Sequence, residues 1–173
     1  MKTSALKKHD YNPYYGTYIE ALGEVDLLAT LKKQRKNFPK FIGSIPKDKL
    51  HYAYADGKWT IAEVLIHIID TERVFQYRAL RFARNDQAPL PGFDQDAYVP
   101  QSGGDKRTIK DLSKEYRAVR RSTIELFKTF DDTLLARKGV GSNSPMSVAA
   151  LGFIMCGHQK HHRNIIRERY LQD

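Results

Sequence analysis

The chain has 173 residues, 41% hydrophobic and 28% charged, the balance of an ordinary globular protein that can bury a core without staples. Its single cysteine excludes an internal disulfide framework and any multi-cysteine zinc site, and no apolar run approaches the roughly 18 residues of a membrane span. The net charge of +9 raises nucleic acid as a partner. However, most of the basic residues lie among acids at helical spacing, as in Glu115 with Arg117 and Glu168 with Arg169, and read as a solvated helical surface. No helix-turn-helix, zinc-finger or aromatic-basic sheet motif accompanies them. The polar opening MKTSALKKHD is unlike a signal peptide, so one domain over 1–173 and a cytoplasmic location are expected.

Apolar residues recur at helical period almost throughout, and no stretch alternates convincingly at period two. A short helix is expected over Tyr11–Leu22, with Pro13 near its start. The first long helix is expected over about 24–41, with Val25, Leu27, Leu28 and Leu31 as its apolar positions and Pro39 weakening its end. The second covers about 60–85, where Thr60 followed by Glu63 forms a capping box. The third spans about 108–130, carrying Leu112, Tyr116, Val119, Thr123, Leu126 and Phe130 along one side. The fourth spans about 147–171, with Leu151, Ile154, Met155, Ile165 and Ile166. Polar connections punctuated by glycine and proline lie over Gly43–Trp59, Gln87–Arg107 and Asp131–Met146.

Four helices with one apolar side each call for an all-α four-helix bundle. The connection Gln87–Arg107 is about 21 residues long, far more than antiparallel neighbours need. Extended, it reaches roughly 65 Å against a second helix of roughly 40 Å, so it can cross the bundle and leave the second and third long helices parallel.

Three histidines carry the chemical signal. His158 and His162, in GHQKHH, are four residues apart and lie about 40° apart on one helical face. With Leu151, Ile154 and Ile165 they fall within about 80° of one another, on the inward stripe, where an unpaired polar ring is costly. His67, in IAEVLIHIID, can supply a third nitrogen from another helix. Three neutral imidazoles leave part of a Zn²⁺-type shell open, the arrangement of a catalytic rather than a structural site. The spacing alone is a weak signal, and the bland alternative is a pair of core histidines satisfied by hydrogen bonds. His67 itself lies roughly 90° from its helix's apolar stripe, among Thr60, Glu63, Thr71, Val74 and Arg78, with Asp70 at the edge. Such a stripe is either bundle surface or the lining of a pocket at a helix seam.

Other residues read as structural first. Cys156 is about 160° around the helix from His158 and is expected as a small packing residue. His161 sits nearer the stripe edge and is a poorer ligand. Trp59 is expected to pack at the start of the second helix, and Tyr11, Tyr14, Tyr15 and Tyr18 against the bundle or an interface. Glu63, Asp70 and Glu72 are candidates for proton transfer or ligand support, and Arg78 for substrate charge. Surface charge is the common explanation for such carboxylates.

The stretches GKWTIAEVLIHIIDTERVFQYRALRFAR, LPGFDQDAYV and GHQKHHRNIIRERYL, in this order and at these distances, resemble the DinB family of the DinB/YfiT-like superfamily. The likeness extends more weakly to PYYGTYIEAL and Glu115–Leu126. The resemblance implies a four-helix bundle with up-down-down-up topology, often dimeric. It also implies a divalent metal held by one histidine of the second helix and two of the fourth, which here are His67, His158 and His162. Related members include thiol S-transferases, a mycothiol-dependent isomerase and metal-dependent hydrolases, so the family's chemistry is less uniform than its fold.

The expectation is a metal-dependent enzyme on a small molecule, with Zn²⁺ or Ni²⁺ activating a thiol or water for S-transfer or hydrolysis. A low-molecular-weight thiol is a possible cofactor, a homodimer the expected assembly, and no membrane or nucleic-acid partner is expected. Glu63, Asp70 and Arg78 are the catalytic candidates. The alternatives are a metal-binding stress-response protein without catalysis and, behind it, a nucleic-acid-binding module.

Overall fold

The computed structural model describes residues 1–172. A 3₁₀ turn at Pro13–Tyr15, in which the Asn12 side chain accepts from the Tyr14 N–H, leads into the short helix α1 (Gly16–Glu20). The four long helices are α2 (Leu27–Gly43), α3 (Ile61–Ala83), α5 (Ile109–Phe127) and α7 (Val148–Ile165); two single turns, α4 (Gln95–Tyr98) and α6 (Asp132–Ala136), lie in the connections. Each long helix starts on a side-chain cap. Asp26 accepts from Ala29 N–H, Thr60 from Glu63 N–H, Thr108 from Asp111 N–H and Ser147 from Ala150 N–H, so each cap satisfies a donor with no partner inside its own helix. At α3 the expected capping box is complete, the Glu63 carboxylate accepting from Thr60 N–H at 2.7 Å.

Two helix ends differ from the sequence reading. Pro39 lies inside α2, which runs on to Gly43. A proline removes one hydrogen bond there, but Phe38, Pro39 and Ile42 are all buried, and that packing carries the helix through. At the other end of the chain, α7 gives way to a π-helical turn over Ile166–Tyr170. There Tyr170 is buried and donates its hydroxyl to the Trp59 carbonyl at 2.8 Å.

In the bundle, α2 packs on α5 and α7, and α3 on the same two helices. Side-chain pairs fix the directions. Arg73 meets Glu115 and Gln76 meets Ser122, so α3 and α5 run parallel. Gln34 meets Arg120 and Phe38 meets Tyr116, so α2 and α5 are antiparallel. His67 meets His158 while Trp59, before α3, meets Tyr170, so α3 and α7 are antiparallel. The order is up-down-down-up, and the segment between α3 and α5 spans the bundle's length as its size allows.

The segment between α5 and α7 departs from expectation. It was expected to be a polar connection, yet it holds α6 and a β-hairpin. In the hairpin β1 (Lys138–Gly141) pairs antiparallel with β2 (Ser144–Ser147), Gly141 standing opposite Ser144. Ser142 and Asn143 both take left-handed backbone, φ 51° and 58°, the requirement of a tight two-residue turn. The ladder KGVG/SPMS has one β-branched residue, so neither propensity nor alternation marked it. Its stability comes from tertiary partners. Leu90 donates to the Val140 carbonyl at 2.8 Å, and the Arg78 guanidinium donates to Pro91 O at 2.9 Å and Ser142 Oγ at 2.8 Å.

The apolar interior is in two parts. One gathers Leu27, Leu31, Phe75, Phe82, Phe127 and Leu151; the other gathers Phe38, Ile42, Leu65, Leu112, Tyr116 and Ile166. Between them, at mid-height, α2, α3 and α5 contribute polar side chains and α7 a backbone carbonyl. Arg120 and Glu72 are fully buried with Arg120 Nε 2.7 Å from Glu72 Oε1. Thr123 donates to Glu72 at 2.8 Å, Arg120 to Gln34 Oε1 at 2.7 Å, and Gln34 to the Cys156 carbonyl at 2.8 Å. Arg120 is therefore no surface charge, contrary to the reading of the basic residues. Glu115 likewise pairs with Arg73 and Arg107 rather than with Arg117.

Candidate metal centre

His67 lies two turns into α3 and His158 and His162 on successive turns of α7. Because the two helices run antiparallel in contact, all three rings converge. The Nε2 atom of His158 is 2.9 Å from that of His67 and 3.0 Å from that of His162. The stripe through His67 is therefore seam, not surface: His67, Thr71 and Arg78 are all buried.

Burial sets the protonation state. It pushes the His67 imidazole down to about 4. His162 is pushed to about 3, by burial first and then by His67 and His161. His158 is held well below its ordinary range by burial, then by His162, His67 and His161. All three are neutral at physiological pH, the form in which an imidazole nitrogen presents a lone pair to a cation.

The donor set fits one divalent ion. Nitrogens each about 2.0–2.1 Å from a shared cation lie roughly 3.0–3.4 Å apart, depending on the coordination angle. The observed spacings are at or just inside that range. Among neutral rings alone, the single lone pair of His158 Nε2 can accept one N–H, so one of its two close contacts is left uncompensated. A cation shared by three nitrogens removes that conflict. Aromatic rings wall the trio. Trp59 lies 5.0 Å from His67 between ring centroids, and Tyr18 stands edge-on to His158 at 5.6 Å. Tyr18 reaches that position because α1 crosses α7 at Gly157, where a Cβ would meet the Tyr18 carbonyl oxygen at 2.1 Å.

A cleft of about 470 Å³ opens against His162, walled by Trp59, Ile165 and Tyr170 and rimmed by Lys58, Arg169 and Asp96. A narrow crevice on the other side is shared by His67 and Asp70 under Phe93 and Tyr98. His161, exposed, faces the cleft and stacks edge-on to Tyr18 rather than joining the trio.

The other candidates separate by position. Glu63 is engaged in the cap of α3. Arg78 is about three turns from His67 along α3 and ties down the hairpin. Glu72 belongs to the buried pair with Arg120. Asp70 alone shares a crevice with a trio histidine. Burial raises its carboxyl above the ordinary value, opposed by the Arg73 guanidinium 3.0 Å away. Lys58 and Asp96 were not singled out from sequence, and Arg169 was read only as surface charge beside Glu168, since a charge beside a turn or at a helix end carries no periodic signal.

Fold and site together define a helical bundle with three imidazoles converging at one seam, in a set that fits a cation. Residues 30–166 match the sequence profile of the DinB superfamily, and the chain belongs to that superfamily. It is similar to a protein of Oceanobacillus iheyensis named "Putative metal-dependent hydrolase", with 23% identity over 156 residues, covering 89% of this chain and 80% of that one. Its fold is that of YfiT from Bacillus subtilis, described as "a probable metal-dependent hydrolase with an unusual four-helix bundle topology". The two superpose with a TM-score of 0.66 at 16% identity, over 95% of this chain and 87% of that one.

Proposed function

We propose that the chain is a single-domain, metal-dependent enzyme acting on a small molecule, with His67, His158 and His162 as the ligands of a divalent cation. The observation that carries this is the convergence of three neutral imidazole nitrogens, those of His67 and His158 buried and that of His162 half-buried, beside an open cleft. A cation held by three histidines supplies Lewis acidity, lowering the pKa of water or of a thiol placed at its open position. The imidazole set suits Zn²⁺ or Ni²⁺. Hydrolysis agrees with the name of the Oceanobacillus relative, and thiol transfer with a low-molecular-weight thiol is the second chemistry the same site admits.

The chain's own residues supply the rest. Trp59 and Tyr18 exclude water around the imidazoles and keep them neutral. Asp70, its carboxyl raised by burial beside His67, accepts or returns a proton. Arg78 holds the hairpin, and Glu63 holds the start of α3. No helix among the described residues is long and apolar enough to cross a membrane, and in this reading the protein works in the cytoplasm, as a homodimer.

Metal analysis tests the proposal. Protein equilibrated with Zn²⁺ and desalted is expected to retain about one ion per chain, and His162→Ala fewer than about one in ten. Generic ester or thiol-acceptor turnover is expected to vanish with the ion and to fall about 10²-fold in Asp70→Asn at unchanged metal content. Stoichiometric metal with no turnover of any such substrate would favour the non-catalytic metal-binding reading. No retained metal in the unaltered chain would end both.

A further inference from the structure

The cleft beside His162 has a chemical character of its own. Its walls are aromatic and aliphatic: Trp59, Ile165 and the buried Tyr170. Its rim carries Lys58 and Arg169, both exposed, and neither forms an ion pair with a carboxylate among the described residues. Arg169 is held in place, its guanidinium carbon 5.6 Å from the Tyr54 ring centroid and Nη1 donating to the Tyr54 hydroxyl at 3.4 Å. A guanidinium stacked in this way keeps its remaining N–H edge for a planar oxyanion. Asp96 faces the same space, so two cations, of which Arg169 is held on Tyr54, oppose one carboxylate. The larger basic groove between α2 and α5, around Arg35 and Arg117, contains Glu125 and has no reactive group behind it.

We propose that this cleft is the substrate pocket and selects a small anion with a planar apolar body, an aromatic or unsaturated carboxylate. Lys58 and Arg169 hold the carboxylate, Trp59 and Tyr170 sandwich or flank the body, and the reacting end lies toward His162. As a substrate assignment this rests on the metal-centre reading; as a binding site it stands on the cleft alone. An apolar wall behind a charged rim strengthens the charge interaction relative to open water and rejects a neutral isostere, which leaves the cations unpartnered.

Trp59 is the chain's one tryptophan, lines the cleft and adjoins His67, so its fluorescence reports both binding events. Benzoate would be titrated into the full chain with and without Zn²⁺, alongside benzamide as the neutral control. Saturable quenching by benzoate is expected, about tenfold weaker in Lys58→Gln/Arg169→Gln and a few-fold tighter in Asp96→Asn, with benzamide much weaker and insensitive to all three changes. Raising salt should weaken benzoate binding in the unaltered chain and leave the double variant little changed. Benzoate affinity within twofold across these variants, or no saturable binding, overturns the proposal; binding seen only with Zn²⁺ and indifferent to the rim charges means the anion sits on the ion instead and overturns it equally. Zn²⁺ titration of the same samples separates the two readings. Charge-dependent benzoate binding without Zn²⁺ affinity would sink the metal centre and keep the anion pocket, and Zn²⁺ affinity without charge dependence would do the reverse.

Discussion

Cys156 lies on α7 two residues before His158, yet the helix turns it into the core, where it is fully buried. Burial pushes its thiol up to about 12 from an ordinary 9.0, with Glu72 adding to the rise and Arg120 opposing it. A thiol held this way is neither nucleophile nor metal ligand at neutral pH, as its azimuth indicated. Above pH 9 the unfolded chain releases this proton while the native chain keeps it, so the native state binds more protons and stability falls as pH rises. The slope from this group is about 1.4 kcal/mol per pH unit until the native thiol itself ionises. Urea unfolding between pH 9 and 10.5 should show it, and Cys156→Ala should remove that share of the slope. Iodoacetamide should label the thiol in urea and leave it intact in buffer at pH 8. The paired histidines were legible for the same reason as the cysteine, because spacing along one helix sets azimuth. Asp96 and Lys58 sit outside any long helix, so no periodicity exposed them.

Among the elements, α1 and the hairpin show how short segments are placed by what they touch. Gly157 lets the Tyr18 backbone approach α7 within a distance that no side chain permits. Alanine there brings about 1 kcal/mol of helix propensity, but the displaced α1 backbone costs more, about 2–3 kcal/mol. Gly157→Ala should therefore lower the melting temperature by several degrees, and Tyr18 should move off His158, seen as a changed imidazole resonance. An unchanged melting temperature would mean that α1 shifts freely. The four long helices were readable to within a few residues because each pairs a capping residue with a sustained apolar stripe. The hairpin was not, since its ladder is held by Arg78 and Leu90, distant in sequence.

At the level of the bundle, the polar waist joins α2, α3, α5 and α7 between the two apolar clusters. Burial pulls the Arg120 guanidinium down, but Glu72 and its other neighbours outweigh this and hold it above its ordinary value. Removing one partner strands a buried charge, so Arg120→Ala should cost about 3–5 kcal/mol in urea unfolding, whereas Glu72→Leu/Arg120→Met should recover most of that loss. If the double variant keeps its stability but loses Zn²⁺ affinity, the waist sets the register of α3 against α7; unchanged affinity confines its role to the fold.

Helix existence, the class of bundle and the facing of His158 toward His162 all follow from local order, because 3.6 residues per turn convert spacing into direction without reference to any partner. The parallel run of α3 and α5 was permitted, though not required, by the length of one connection. His67 was ambiguous for a physical reason: a polar stripe is the same string of residues whether solvent or another helix covers it. Only the antiparallel docking of α7 on that stripe turned it into a seam, brought the third nitrogen to 2.9 Å from that of His158, and raised the cleft beside them.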